Sequence, residues 1–123
     1  GVLGERVSVF MTGADLITMS GHVVNKVGTF PIALMAHHFG VPFYAFGLGP
    51  DPEAKTPEDV VIENRDPDEV LHCRGVRTAS PRAVGHYPAF DITPPDYVTG
   101  IATSSGVFAP GDMAGFVPGD AVI

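Results

Sequence analysis

Tryptophan is absent from this 123-residue chain, and cysteine occurs once, as Cys73. A single thiol closes no internal disulfide, so no disulfide framework supports the fold, and a cytoplasmic setting is expected. Basic residues are scarce: 7 Lys and Arg stand against 14 Asp and Glu, for a net charge of −7. Such a surface repels a phosphodiester backbone, which argues against general nucleic-acid binding while leaving room for a local seat for one small anion. No apolar run reaches the roughly 20 residues that cross a bilayer, so no membrane partner is expected. The five histidines show no metal-ligand spacing, and His37 and His38, being adjacent, point to different faces of any helix. No metal is therefore expected, and no residue pattern implies an organic cofactor. What the chain does have is 45% hydrophobic residues, 15 Gly and 12 Pro, the composition of a globular domain with many turns.

Residues 7–12, VSVFMT, are apolar and partly β-branched and predict a buried strand running into Gly13. Residues 14–28 read as a long connection. Thr29 is the expected cap of a helix with Pro31 in its first turn and Gly40 as its C-terminal glycine. Ile32, Met35, Ala36 and Phe39 fall at helical spacing. Pro42 then opens a second strand, PFYAFG. Strand, helix, strand is the crossover of a parallel sheet.

Residues 48–59 predict a loop. GLGPDP at its start reads as a plain turn, because it lacks the later glycine and the helix pattern of a phosphate loop. VVIEN predicts a short strand, RDPDEVLH one or two helical turns, and residues 74–86 irregular chain. DITPPDYVTGIA carries the clearest helix-start pattern: Thr93 as cap, Pro94 and Asp96 in the first turn, then Tyr97, Val98, Ile101 and Ala102 as the apolar face. GVFAP predicts a last edge strand, and the tail from Gly111 an end that is loose or wrapped on a neighbour. The fold class is α/β, a Rossmann-like, mostly parallel sheet flanked by helices. So few strands, and a first residue that is Gly1 rather than Met, lead us to expect the C-terminal part of a larger fold, with more of the sheet before residue 1.

The stretch GADLITMSGHVVNKVGT, residues 13–29, holds the candidate chemistry. Ligands of open parallel sheets bind at the carboxyl ends of the strands, and Asp15 follows one such end. Asn25 and Lys26 lie just before the expected helix, where an amide, an ammonium and free N–H groups can seat a phosphate. Gly28 lets the backbone approach the anion closely. Asp15 would then transfer protons beside an anchored phosphate. The plainer alternative is a turn-forming Asp and a solvated loop. His22 lies within the same loop and is the histidine expected to touch substrate. Asp91 either lines the site or stabilises the helix expected after Thr93.

TGADLITMSGHVVNKVGT and PFYAF, then IENRDPDEV, GVR and PAFDITPPDYVTGI, resemble one family in order and spacing over about residues 7–110. It joins the sugar-1-phosphate aldose–ketose isomerases, among them methylthioribose-1-phosphate and ribose-1,5-bisphosphate isomerases, to the alpha, beta and delta subunits of translation initiation factor 2B. The resemblance implies that residues 1–110 are the C-terminal Rossmann-like half of such a protein, with an N-terminal half absent and residues 111–123 as a tail. It implies Asp15 as catalytic acid/base, Asn25 and Lys26 as contacts to substrate and phosphate, and a homodimer. It implies a further catalytic cysteine in the absent half, so the fragment alone is expected to be inactive, and Cys73 takes no part. Three positions depart from the methylthioribose pattern: Leu16 replaces Arg, Ser20 stands for Asn before Gly21, and Tyr87 replaces the Asn of an Asn-Pro-Ala-Phe-Asp motif. The expected activity is isomerisation of a 1-phosphorylated pentose. The alternative is a noncatalytic regulatory module that senses a sugar phosphate or nucleotide.

Overall fold

The computed structural model describes residues 6–118. In chain order the elements are β1 (Phe10–Gly13), β2 (Leu16–Ile17), β3 (Val23–Lys26), helix α1 (Thr29–His38), β4 (Phe43–Phe46), β5 (His72–Cys73), β6 (Val76–Arg77), β7 (Phe90–Thr93), β8 (Gly100–Thr103) and β9 (Gly106–Phe108). The main sheet has the order β1-β4-β8-β9. β1, β4 and β8 run parallel, with Phe10 against Phe43 and Ala45 against Ile101, and β9 closes the edge antiparallel to β8. A second, antiparallel sheet has the order β2-β3-β7, and β5 and β6 form a separate hairpin. This is a mixed α/β fold with a mostly parallel main sheet, as the sequence predicts.

β4 and β8 lie inside the sheet and carry its buried residues, whereas the strand expected to be buried over residues 7–12 is an edge strand that begins at Phe10, with Met11 56% exposed. Phe43, Ala45 and Ile101 are fully buried together with Ile17, Val23, Ala33 and Met113. Phe10 stacks on Phe43 with ring centroids 4.6 Å apart.

α1 ends as expected. Gly40 takes φ 68°, its N–H donates to His37 O at 3.1 Å, and the N–H of Val41 donates to Ala36 O at 2.8 Å. Those two bonds and the burial of Val41 make a Schellman cap. Of the four residues at helical spacing, only Ala36 is buried. Thr29, Ala33 and Ala36 face inward, while Ile32, Met35 and Phe39 stand 41–45% exposed. TFPIALMAHH is apolar around most of its circumference, so spacing alone selects no face. The small alanines let the helix settle onto the sheet.

Three further expectations are corrected. Residues 14–28 are not a bare connection but contain the β2–β3 hairpin, whose turn is tied to the following loop by bonds from Met19 N to Ala54 O and Ser20 N to Lys55 O. VVIEN forms no strand: Val61 is 94% exposed, and the segment's contact with a neighbour is an isolated bridge between Asn64 and Pro88. No α-helix follows Thr93. That residue ends β7, and Pro95–Tyr97 makes one 3-10 turn before Val98 returns to extended backbone. Thr99 then locks onto β4, its N–H donating to Phe43 O at 2.8 Å and its Oγ1 accepting from Phe43 N at 3.0 Å. Burying Ile101 in the sheet, worth about 2–3 kcal/mol, outweighs the local capping pattern.

The segment after Gly111 is not loose over its described part. Pro110–Gly115 forms a 3-10 turn that buries Met113 completely, and Phe116 packs edge-on against Phe108 at 5.3 Å. Residues 119–123 of the expected tail lie outside the described residues.

The 3-10 turn Pro57–Asp59 predicts a pH response. Hydrogen bonds from Thr56 N at 2.9 Å and Lys55 N at 3.0 Å hold the Asp59 carboxyl below its ordinary value. A lowered pKa stabilises the turn above the unfolded value of about 3.9, and that contribution fades as the pH falls through the lower folded value. The amide resonances of Lys55 and Thr56, followed by NMR, are expected to titrate together in that acidic window.

Candidate functional site

β1 and β4 are parallel and end side by side, Gly13 beside Phe46. The chain leaving each end turns outward, and residues 14–17 and 47–51 wall a cavity of about 250 Å³ between them. This is the crevice at the carboxyl ends of the strands where open α/β sheets bind ligands. Asp15 lines it and is solvent-exposed. Its backbone is fixed, since Asp15 N donates to Val24 O at 2.9 Å. The opposite wall is equally anchored: Gly47 N donates to Ala102 O at 3.0 Å and Asp51 N to Ile17 O at 2.8 Å. Gly49, at φ 137°, is required there, because a Cβ would lie 2.6 Å from the Phe116 ring.

The second group of predicted residues gathers where β3 meets α1. Asn25 pairs with Asp91 and Lys26 with Phe90 across the β3–β7 ladder. Asn25 Nδ2 donates to Thr29 Oγ1 at 3.1 Å, and Thr29 Oγ1 donates to Lys26 O at 2.7 Å. Lys26 is exposed, its Nζ 4.8 Å from the centre of the Phe90 ring. Gly28 adopts φ 105°, which turns the chain into the helix without a side-chain cap of its own.

The cap comes from afar. The Asp91 carboxylate accepts Gly28 N at 2.7 Å and Phe30 N at 3.1 Å. It sits at the positive end of the helix and satisfies N–H groups that would otherwise lack partners. Of the two roles weighed for Asp91, these bonds match the structural one, transferred from the helix expected after Thr93 to α1. They also engage the Gly28 N–H that the phosphate seat would use. Asp91→Ala is expected to lower the unfolding free energy by about 1–3 kcal/mol, measured as a reduced denaturant midpoint at unchanged m-value.

β2 pairs Leu16 with Val24 and Ile17 with Val23, and β3 in turn sets Asn25 opposite Asp91. Asp15 lies just before β2, its N–H bonded to Val24 O rather than paired with Asn25. Lys26 is the next residue along β3, on the alternate face. Asp15 belongs to the cavity wall, whereas Asn25, Lys26 and Gly28 are not part of its lining, so the cavity does not gather the predicted residues around one space.

His22 lies at the far end of the hairpin. Its N–H donates to Thr18 Oγ1 and its Nδ1 shares a hydrogen bond with Ser20 Oγ, both at 3.0 Å, so local bonds account for its placement. Among the described residues no group of three or more His, Cys, Asp and Glu is arranged to hold a metal ion.

One wall of the crevice carries no recognisable motif. GLGPDP is a turn, but it contributes Leu48 and Asp51 to the crevice. Its position directly after β4 was the available signal, since the end of a parallel strand is where such sites form.

A family model described as the initiation factor 2 subunit family matches residues 1–110. A methylthioribose-1-phosphate isomerase of Thermus thermophilus is 44% identical over 106 residues, which cover 85% of this chain and 32% of that protein. The crystal structure of 5-methylthioribose 1-phosphate isomerase from Pyrococcus horikoshii OT3 superposes with a TM-score of 0.82 at 40% identity, covering 92% of this chain and 32% of that one. The delta subunit of translation initiation factor eIF-2B from A. fulgidus superposes with a TM-score of 0.75 at 34% identity, covering 90% and 33%. The chain therefore spans about a third of the length of the relatives it matches.

Proposed function

Since this chain belongs to the initiation factor 2 subunit family, we propose that it is part of an aldose–ketose isomerase acting on a 1-phosphorylated pentose of the methylthioribose 1-phosphate kind. The observation that carries the reading is the Asp15 carboxylate standing in the crevice at the ends of β1 and β4. In this reading residues 1–110 form the C-terminal domain of the enzyme, and the site is completed by sequence outside this chain. The working form is a cytoplasmic homodimer.

The reaction converts a sugar whose C1 carries the phosphate into the corresponding ketose. The ring must open, which requires a proton on the ring oxygen as its bond to C1 breaks. Hydrogen then passes from C2 to C1, leaving a carbonyl at C2. Asp15 is an exposed carboxylate on an anchored backbone, suited to deliver the first proton or to handle the one at C2. Asn25, one strand over, supplies an amide for sugar hydroxyls. Lys26, the next residue of β3, supplies a positive charge for the phosphate. Such an assignment needs no metal.

The rival reading is a noncatalytic subunit that binds a sugar phosphate or nucleotide, supported by the likeness to the A. fulgidus delta subunit. One experiment separates them: the complete gene product is incubated with methylthioribose 1-phosphate and with ribose 1,5-bisphosphate, and ketose formation is followed. Conversion of either supports the enzyme. Binding without conversion of any 1-phosphorylated pentose replaces it with the regulatory reading.

A further inference from the structure

Leu48 is a leucine that folding has left in water. It is 90% exposed, yet it lines the crevice opposite Asp15. The backbone around it is not free to drift. Gly47 N and Asp51 N are bonded to Ala102 O and Ile17 O, the site of a Gly47 Cβ lies 2.6 Å from Ile17 Cδ1, and Gly49 lies against the Phe116 ring. The loop is a shelf that presents one apolar side chain to whatever enters the cavity.

The remaining lining follows the same pattern. Leu16, Ile17 and Pro50 continue the apolar surface, and the charged groups of the wall are the two carboxylates Asp15 and Asp51. Lys26, the nearby cation, is outside the lining and lies over Phe90. A phosphate entering this part of the site would meet two negative charges and no positive one. An uncharged thioether would meet leucine, isoleucine and proline.

We propose that Leu48 is a specificity-determining residue: it packs on the apolar 5-substituent of a 5-deoxy-5-alkylthio sugar 1-phosphate, and the crevice around it rejects a sugar bearing a second phosphate at C5. The inference rests on the isomerase reading above and adds which end of the substrate each wall faces. The 5-substituent lies along residues 47–51, and C1 with its phosphate points away from that loop, toward β3. Leu16 extends the same apolar surface.

The test uses the complete gene product and two variants of an exposed side chain whose replacement leaves the core intact. Leu48→Ala is expected to lower kcat/KM for methylthioribose 1-phosphate about tenfold. The inhibition constant of ribose 1-phosphate, which lacks the alkylthio group, should change less than about twofold. Leu48→Lys is expected to shift the ratio of kcat/KM values toward ribose 1,5-bisphosphate by about tenfold or more, because it adds a cation where the second phosphate would lie. Equal effects of Leu48→Ala on both ligands, or none on either, overturn the proposal while leaving the isomerase reading standing. An unmodified protein that converts methylthioribose 1-phosphate and the bisphosphate equally well also overturns it alone. An unmodified protein that converts neither removes the isomerase reading, and this inference with it.

Discussion

Asp15→Asn is expected to lower kcat of the complete enzyme by about 10²–10⁴-fold, the usual contribution of a positioned acid or base. The substitution keeps the size and shape of the side chain and removes its ability to exchange a proton. KM should change little, because an amide still hydrogen-bonds a sugar hydroxyl. The fold should not register the change. Asp15 is exposed, and the tie that anchors it is its backbone N–H to Val24 O, which Asn preserves. Circular dichroism and thermal midpoint matching the unmodified protein, beside a collapsed kcat, would locate the effect in chemistry. A variant that keeps full rate removes Asp15 from the proton-transfer role.

Gly21→Ala is expected to cost about 3 kcal/mol or more of stability, for two independent reasons. Gly21 holds φ 81°, a left-handed conformation that costs an L-residue about 1–2 kcal/mol. A Cβ there would also lie 2.3 Å from the carbonyl oxygen of Pro110, and since that atom is backbone the clash is relieved only by moving a chain segment. Overpacking of this kind adds about 1–3 kcal/mol. The segment that must move carries Met113, which is fully buried. Chemical denaturation should show a lower midpoint, and near-ultraviolet dichroism should report disturbed packing of Phe116 and Phe108. By contrast, Gly111→Ala, where a Cβ meets open space, should fall within about 0.5 kcal/mol of the unmodified protein.

What could be read from the sequence is the frame that local chemistry dictates. The strand into Gly13, the helix from Thr29 with Pro31 in its first turn, the Gly40 stop and the strand after Pro42 are set by short-range signals that the tertiary fold reinforces. The position of Asp15 follows from that frame, because a residue just past a parallel strand must stand at the crevice. What could not be read depends on distant partners. Thr93, Pro94 and Asp96 have the residue types of a helix start, yet Phe43, more than fifty positions earlier, captures Thr99 and draws the chain into the sheet. The inward face of α1 was hidden because nearly every face of that helix is apolar. Leu48 was hidden because a glycine-flanked leucine in a proline-rich turn carries no pattern, and its meaning comes from the wall it faces.

The clamp of Asp91 on α1 also sets an order in time. The group that satisfies the first turn of this helix is supplied from a strand 63 positions downstream of Gly28. A growing polypeptide that has emerged only as far as β4 therefore holds a helix whose start is unsecured and free to fray, and securing it closes a long loop at an entropic cost. In hydrogen–deuterium exchange the amides of Gly28 and Phe30 should accordingly open in step with the β3–β7 ladder rather than with the rest of the helix, so that the two ends of α1 belong to different cooperative units.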